Sequence, residues 1–174
     1  MKALVVLLAL TTAAAADPAP SGFTAAVRVG GGHTGAGKDT SRAYGFGLSF
    51  DAEAGGFLTD RLAGLVFARA EPTFGTHQSN GDPLGLFKVY YGARFHAYVL
   101  PTVFAGAGIC RLDQILNDRG AHDFDSALAI EAHVGAVISH LDAAVVDTIV
   151  EIGRAHYADP DYAVWGRFAV GIRW

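Results

Sequence analysis

The segment YAVWGRFAVGIRW (162–174) alternates with a period of two, and this constrains the fold more than any other feature of the chain. Tyr162, Val164, Gly166, Phe168, Val170, Ile172 and Trp174 fall on one side. Ala163, Trp165, Arg167, Ala169, Gly171 and Arg173 fall on the other. A strand sends successive side chains to opposite faces, so one face here is apolar and the other carries the small and charged groups. A helix would scatter both arginines and the aromatics around its circumference.

The same pattern recurs. In FKVYYGARFHAYV (87–99), Phe87, Val89, Tyr91, Ala93, Phe95, Ala97 and Val99 oppose Lys88, Tyr90, Gly92, Arg94, His96 and Tyr98. In AYGFGLSFDAE (43–53), Tyr44, Phe46, Leu48 and Phe50 oppose Gly45, Gly47, Ser49 and Asp51. In SALAIEAHVGAV (126–137), Leu128, Ile130, Ala132, Val134 and Ala136 oppose Ala129, Glu131, His133 and Gly135. Such segments predict eight strands, near 22–31, 43–55, 61–71, 86–100, 102–112, 125–138, 144–154 and 163–174. The fifth, VFAGAGICRL, does not declare its faces, because small and apolar residues occupy both. Three connections are short: around 56–60, at Pro101-Thr102, and at 139–142. Four are longer and polar, at 31–42, 72–85, 113–124 and 156–162. An even number of strands with all short turns at one end predicts an all-β, eight-stranded, antiparallel up-and-down transmembrane β-barrel.

Composition agrees. The chain is 51% hydrophobic and only 17% charged, whereas soluble domains carry about a quarter charged residues. Its start, MKALVVLLALTTAAAADPAP, has Lys2, an apolar run from Ala3 to Leu10, and small residues at Ala14, Ala15 and Ala16. That order predicts a signal peptide at 1–16 and a single barrel domain at 17–174. The run is too short to span a bilayer as a helix. A net charge of −4 argues against nucleic acid as a partner. The one cysteine, Cys110, rules out an intramolecular disulfide and reads as a small apolar wall residue.

In hydrocarbon an open sheet edge would leave unpaired backbone groups, so the eighth strand must pair with the first. A secreted soluble barrel that binds a small apolar ligand would alternate too, with its apolar face inside. The polar faces here argue for the opposite orientation. They gather Arg28, Arg69, Arg94, Arg167 and Arg173 with Asp51, Glu53, Glu71, Glu131, Asp147 and Glu151, and with His96 and His133. In a narrow lumen these charges are tolerable only as pairs, which predicts a salt-bridge network that plugs it. No cofactor is expected.

With these residues in view, the chain resembles the small eight-stranded outer-membrane barrels of Gram-negative bacteria, the OmpX/OmpA-barrel type. The resemblance implies an outer-membrane location, long loops outside, short turns and both mature termini periplasmic, and a monomer surrounded by outer-membrane lipid. In that group the last strand ends in an aromatic with apolar residues at alternate positions, which the barrel-assembly machinery reads. Phe168, Val170, Ile172 and Trp174 occupy that pattern, with Trp in place of the usual Phe. The implied role is structural or in surface interaction.

The alternative is a lipid-modifying enzyme. His77-Gln-Ser79-Asn80 is similar to the His-x-Ser-Asn stretch of the outer-membrane lipid A 3-O-deacylases, which makes His77 and Ser79 weak catalytic candidates, as base and nucleophile. The position matching that family's acid is Tyr91. Set among Gly, Pro and Asn, the same stretch also reads as a polar turn. Finally, His33, His77, His122 and His156 fall one to each long connection. They are weak metal candidates without ligand spacing, and solvated loops are the better reading of them.

Overall fold

The computed structural model describes residues 22–38, 41–77, 83–118, 121–157 and 162–174, with 36–38, 41–43, 75–77, 83–85, 116–118 and 121–124 as backbone alone. The strands are β1 (Phe23–Lys38), β2 (Ser41–Thr59), β3 (Leu62–His77), β4 (Pro83–Leu100), β5 (Val103–Asp118), β6 (Ala121–Leu141), β7 (Ala144–His156) and β8 (Tyr162–Arg173). Each pairs antiparallel with its sequence neighbour, and β8 pairs with β1, closing the barrel. The seam continues to the last residue. Trp174 donates its N–H to the Ala25 carbonyl (2.9 Å), and the Ala25 N–H returns to the Trp174 carbonyl (3.2 Å).

The short turns lie at Asp60–Arg61, Pro101–Thr102 and Asp142–Ala143. The long connections differ from expectation. Most of 31–42, 72–85 and 113–124 is strand, so the barrel wall continues as paired hairpins instead of opening into loops. β7 and β8 form the exception, ending at His156 and starting at Tyr162.

Stepping from partner to partner starts at Ala26 and passes through Glu53, Phe67, Gly92, Cys110, Ala129, Ala155 and Ala163. It returns to β1 at Ala36, a stagger of ten residues. Such a stagger tilts the strands by roughly 35–45° and sets an interior that side chains fill. The seam is narrow there. A Cβ at Gly30 or Gly32 would collide with the β8 backbone at Phe168 or Gly166. At the start of β1, Gly22 takes a left-handed φ of 121°, and its carbonyl accepts the Phe57 N–H at 2.9 Å.

The alternation runs apolar outward. Leu128 and Ile130 are 65% and 64% exposed, while Arg69, Arg94 and Glu151 on the inner face are buried. This overturns the soluble-barrel alternative, which needs an apolar lumen. The fifth strand turns Phe104, Cys110, Leu112 and Gln114 inward and Ile109, Arg111 and Ile115 outward. Cys110 is therefore an interior residue, not a lipid-facing one, packed in one cluster with Tyr90, Leu112 and Trp165.

Candidate functional site: lumen and rim

All thirteen residues expected in the lumen network lie buried inside the barrel: Arg28, Asp51, Glu53, Arg69, Glu71, Arg94, His96, Glu131, His133, Asp147, Glu151, Arg167 and Arg173. They come from seven strands, all but β5, because each inner-facing position sees across the lumen as well as along it. Towards the short turns, Arg28 holds Asp147 with two bonds of 2.8 Å and reaches Glu53 at 2.7 Å. Arg173 joins the same Asp147 and donates to the Tyr98 hydroxyl. At mid-height Arg94 lies 3.0 Å from Glu131 and 3.5 Å from Glu53, with its guanidinium 3.7 Å above the Phe67 ring. Glu151 is the hub. It accepts from Arg167 (2.8 Å), from the Trp165 indole N–H (2.8 Å) and from Arg69. Arg167 also pairs with Asp51, and Arg69 stacks 3.8 Å over Tyr90.

His96 and His133 sit together with ring centroids 4.8 Å apart, and His96 stacks on Phe104 at 4.5 Å. Glu53 lies 3.8 Å from the His96 Nε2. Towards the rim, Glu71 lies across from Lys88, which donates to the Thr34 hydroxyl.

Among the described residues, Lys88 is the buried charged residue missing from the expected network. The signal was available, since it shares the face of Arg94 and His96 by simple parity. The interior also has apolar layers that the charge pattern did not disclose. Phe67, Tyr90, Leu112 and Trp165 belong to one, and Tyr98, Phe104 and Ile149 to another.

On the outer wall, Phe168, Val170, Ile172 and Trp174 are exposed along β8 and its end. The apolar surface gives way to polar groups partway up. There the exposed Arg111 donates to Asp113 (3.0 Å) and Ser126 (3.0 Å), and the Tyr91 hydroxyl donates to Asp113 at 3.1 Å. Arg154 stands over Tyr162 on the neighbouring hairpin.

His33 lies on this outer wall, stacked on Tyr44 at 6.4 Å, and His156 is exposed at the end of β7. The side chains of His77 and His122 lie outside the described residues, although their backbones end β3 and begin β6. Ser79 lies outside them altogether, as does the predicted signal at 1–16. Among the described residues, no three of His, Cys, Asp or Glu gather as a metal site.

No family model and no curated protein matches the chain. Among solved structures it is similar to Neisserial surface protein A, NspA, with a TM-score of 0.64 at 15% identity over 88% of this chain and 96% of that one. It is also similar to Ail, the attachment invasion locus protein of Yersinia pestis, with a TM-score of 0.56 at 11% identity over 89% of this chain and 100% of that one. The complex of Ail with the heparin analogue sucrose octasulfate gives 0.50 at 13% identity, with the same coverage. At these identities the likeness is one of fold, and the fold is that of small eight-stranded outer-membrane barrels.

Proposed function

We propose that the chain is an exported outer-membrane protein that loses residues 1–16 and inserts residues 17–174 as a monomeric, plugged barrel. Its hairpins meet partners at the cell surface. The short turns and both mature termini face the periplasm, and the wall contacts outer-membrane lipid.

The observation that carries this reading is the inversion of the wall. Charge is concentrated inside and apolar side chains outside, an arrangement that water would penalise and a bilayer rewards. The interior contents support the plug. Among the described residues, buried arginines, carboxylates and aromatic rings crowd the lumen, and an eight-stranded barrel leaves little room beside them. The surface role draws on the hairpins, which continue past the apolar band, and on the names of two fold neighbours, a surface protein and an attachment protein. Phe168, Val170, Ile172 and Trp174 would serve as the mark for the barrel-assembly machinery.

The protein should need detergent for extraction, migrate differently in gels before and after boiling, and give no steady conductance in planar bilayers. A steady conductance would remove the plug. Cells displaying the barrel should adhere to protein-coated surfaces better than cells lacking it, and trimming the hairpins should abolish the difference. Equal adherence would remove the surface role.

A further inference from the structure

At the short-turn end of the barrel, one hairpin projects past its neighbour. β5 pairs last with β6 at Val103↔Ala136, and the Val137 N–H then bonds the Thr102 carbonyl at 2.8 Å. β6 runs on to Leu141 before the turn at Asp142–Ala143. Its register with β7 shifts between Val137 and Ser139, an irregularity of the kind that bends a strand. The hairpin brings Leu141 and Asp142 to the same cavity as Phe57, Tyr98 and Trp174. The cavity has a volume of about 390 Å³, and every residue lining it is among the described ones.

Its walls are apolar and its inner end is not. Phe57, Pro101, Val137, Leu141, Val145 and Trp174 supply hydrocarbon and ring surface. Arg173 and Tyr98, both buried, stand at the inner end. Arg173 donates through Nη1 to the Tyr98 hydroxyl, and its Nη2 pairs with Asp147 and lies 3.7 Å from Glu53. Its buried Nε–H has no hydrogen-bond partner. The Tyr98 hydroxyl accepts from Arg173 and so keeps its own proton to give. A buried donor in this state calls for an acceptor from outside the protein. Water meets that need poorly, because a held water wants two to four polar partners and most of this surface is apolar.

Charge at the inner end is already balanced. Arg28 and Arg173 meet Glu53 and Asp147, two against two. An anion would add to the carboxylates, and a cation would meet the guanidinium groups, each without a free partner. Behind this layer the rings of Phe57 and Tyr98, and of Tyr98 and Phe104, stand 5.5 Å apart and close the way further up the lumen.

We propose that this cavity holds a small uncharged molecule with an apolar body and a carbonyl oxygen. The body lies against Phe57, Leu141 and Trp174, and the oxygen accepts from the Arg173 Nε–H and the Tyr98 hydroxyl. A mostly apolar pocket of this size with a few converging polar groups is the usual form of a small-molecule site. The rings at the inner end stop the molecule from passing, so the barrel binds it and does not conduct it. In the proposed orientation the cavity opens to the periplasm. The hairpins of the opposite end take no part, so this site and the surface role stand or fall separately.

The test titrates the isotope-labelled barrel in lipid nanodiscs with methyl pentyl ketone and follows backbone amide shifts. Shifts at Tyr98, Val137, Leu141 and Trp174 should saturate with a Kd on the order of 0.1–1 mM. Hexanoate and hexylamine should bind about tenfold more weakly, because each brings a charge that must be desolvated. Arg173→Lys keeps a positive charge beside Asp147 and removes the Nε–H, and it should weaken the ketone about fivefold. Leu141→Asp alters a wall residue that is 50% exposed and outside the charge network, so the barrel folds as before. It should also weaken the ketone about fivefold.

Shifts that never saturate and follow the lipid-facing positions Ile130 and Val134 would mean partition into the bilayer and would overturn the site. Hexanoate binding as tightly as the ketone would overturn the uncharged class. Unchanged affinity in Leu141→Asp would place the molecule elsewhere and overturn the proposal. Magnetisation transfer from lipid chains to Tyr98 and Leu141 that the ketone does not displace would give the cavity to a lipid chain and overturn it as well.

Discussion

At the scale of single residues, the interior depends on side chains that satisfy several partners at once. Glu151 holds Arg69, Arg167 and the Trp165 indole together. Glu151→Ala leaves two buried guanidinium groups short of charge, and breaking a buried pair in this way costs ~3–5 kcal/mol. Urea unfolding of the barrel in lipid vesicles should show that loss, and a loss below about 1 kcal/mol would mean that the lumen repairs itself with water. Space is equally particular. A Cβ at Gly153 would land on the Trp165 indole, whereas a Cβ at Gly166 meets nothing nearer than Ile152 Cγ2 at 3.9 Å. Gly153→Leu should therefore displace Trp165, shift its fluorescence and destabilise the barrel by ~1–3 kcal/mol, and Gly166→Ala should do neither. Parity alone put Arg94, His96 and Glu131 on the inner face, and the same parity applies to Lys88 and Trp165. What the sequence left hidden was depth. No local pattern says which inner-facing residues share a level, because the stagger brings Arg28 to Asp147 from 119 positions away.

The strands themselves were legible wherever one face was clearly apolar. β2, β4, β6 and β8 alternate as read, because lipid demands apolar groups on one side and the lumen tolerates charge on the other. β5 was not legible, since Ala105, Ala107 and Ile109 outside resemble Gly106, Gly108 and Cys110 inside. The hairpins were read as loops for a related reason. Above the bilayer both faces of a strand meet water, so the alternation fades while the backbone ladder persists. Val134 stands 56% exposed near the middle of the apolar run on β6. Val134→Arg should cost ~2–4 kcal/mol in vesicles, and the same change at Ser126, where the wall is already polar, should cost little. Equal effects would show that the two positions lie at the same depth. At the far end of β8, the backbone of Trp174 is bonded in both directions to Ala25. Deleting Trp174 should slow insertion, measured as the fraction with folded-gel migration, more than any polar substitution in a hairpin tip. Unchanged insertion would end its role as an assembly mark.

At the scale of the whole molecule, the buried lumen charges among the described residues balance. Arg28, Arg69, Lys88, Arg94, Arg167 and Arg173 face Asp51, Glu53, Glu71, Glu131, Asp147 and Glu151, six against six. Their pairing requires all eight strands in register, so the charges that make the interior costly to assemble also penalise any partly closed sheet. The seam has a further consequence for connectivity. Because β1 and β8 are bonded like any other neighbours, the order of strands around the wall is cyclic, and the polypeptide's two ends are only one break among eight possible ones. A circular permutant that joins Trp174 to Phe23 through a short linker and opens the chain at Asp142–Ala143 keeps every ladder intact. Refolded in detergent, it should regain the same boiling-sensitive migration as the natural order. In cells it should assemble poorly, because the strand then carrying the new terminus lacks the Phe168 to Trp174 pattern. If the permutant reaches the membrane as readily as the parent, recognition lies in the closed wall and not in its last strand.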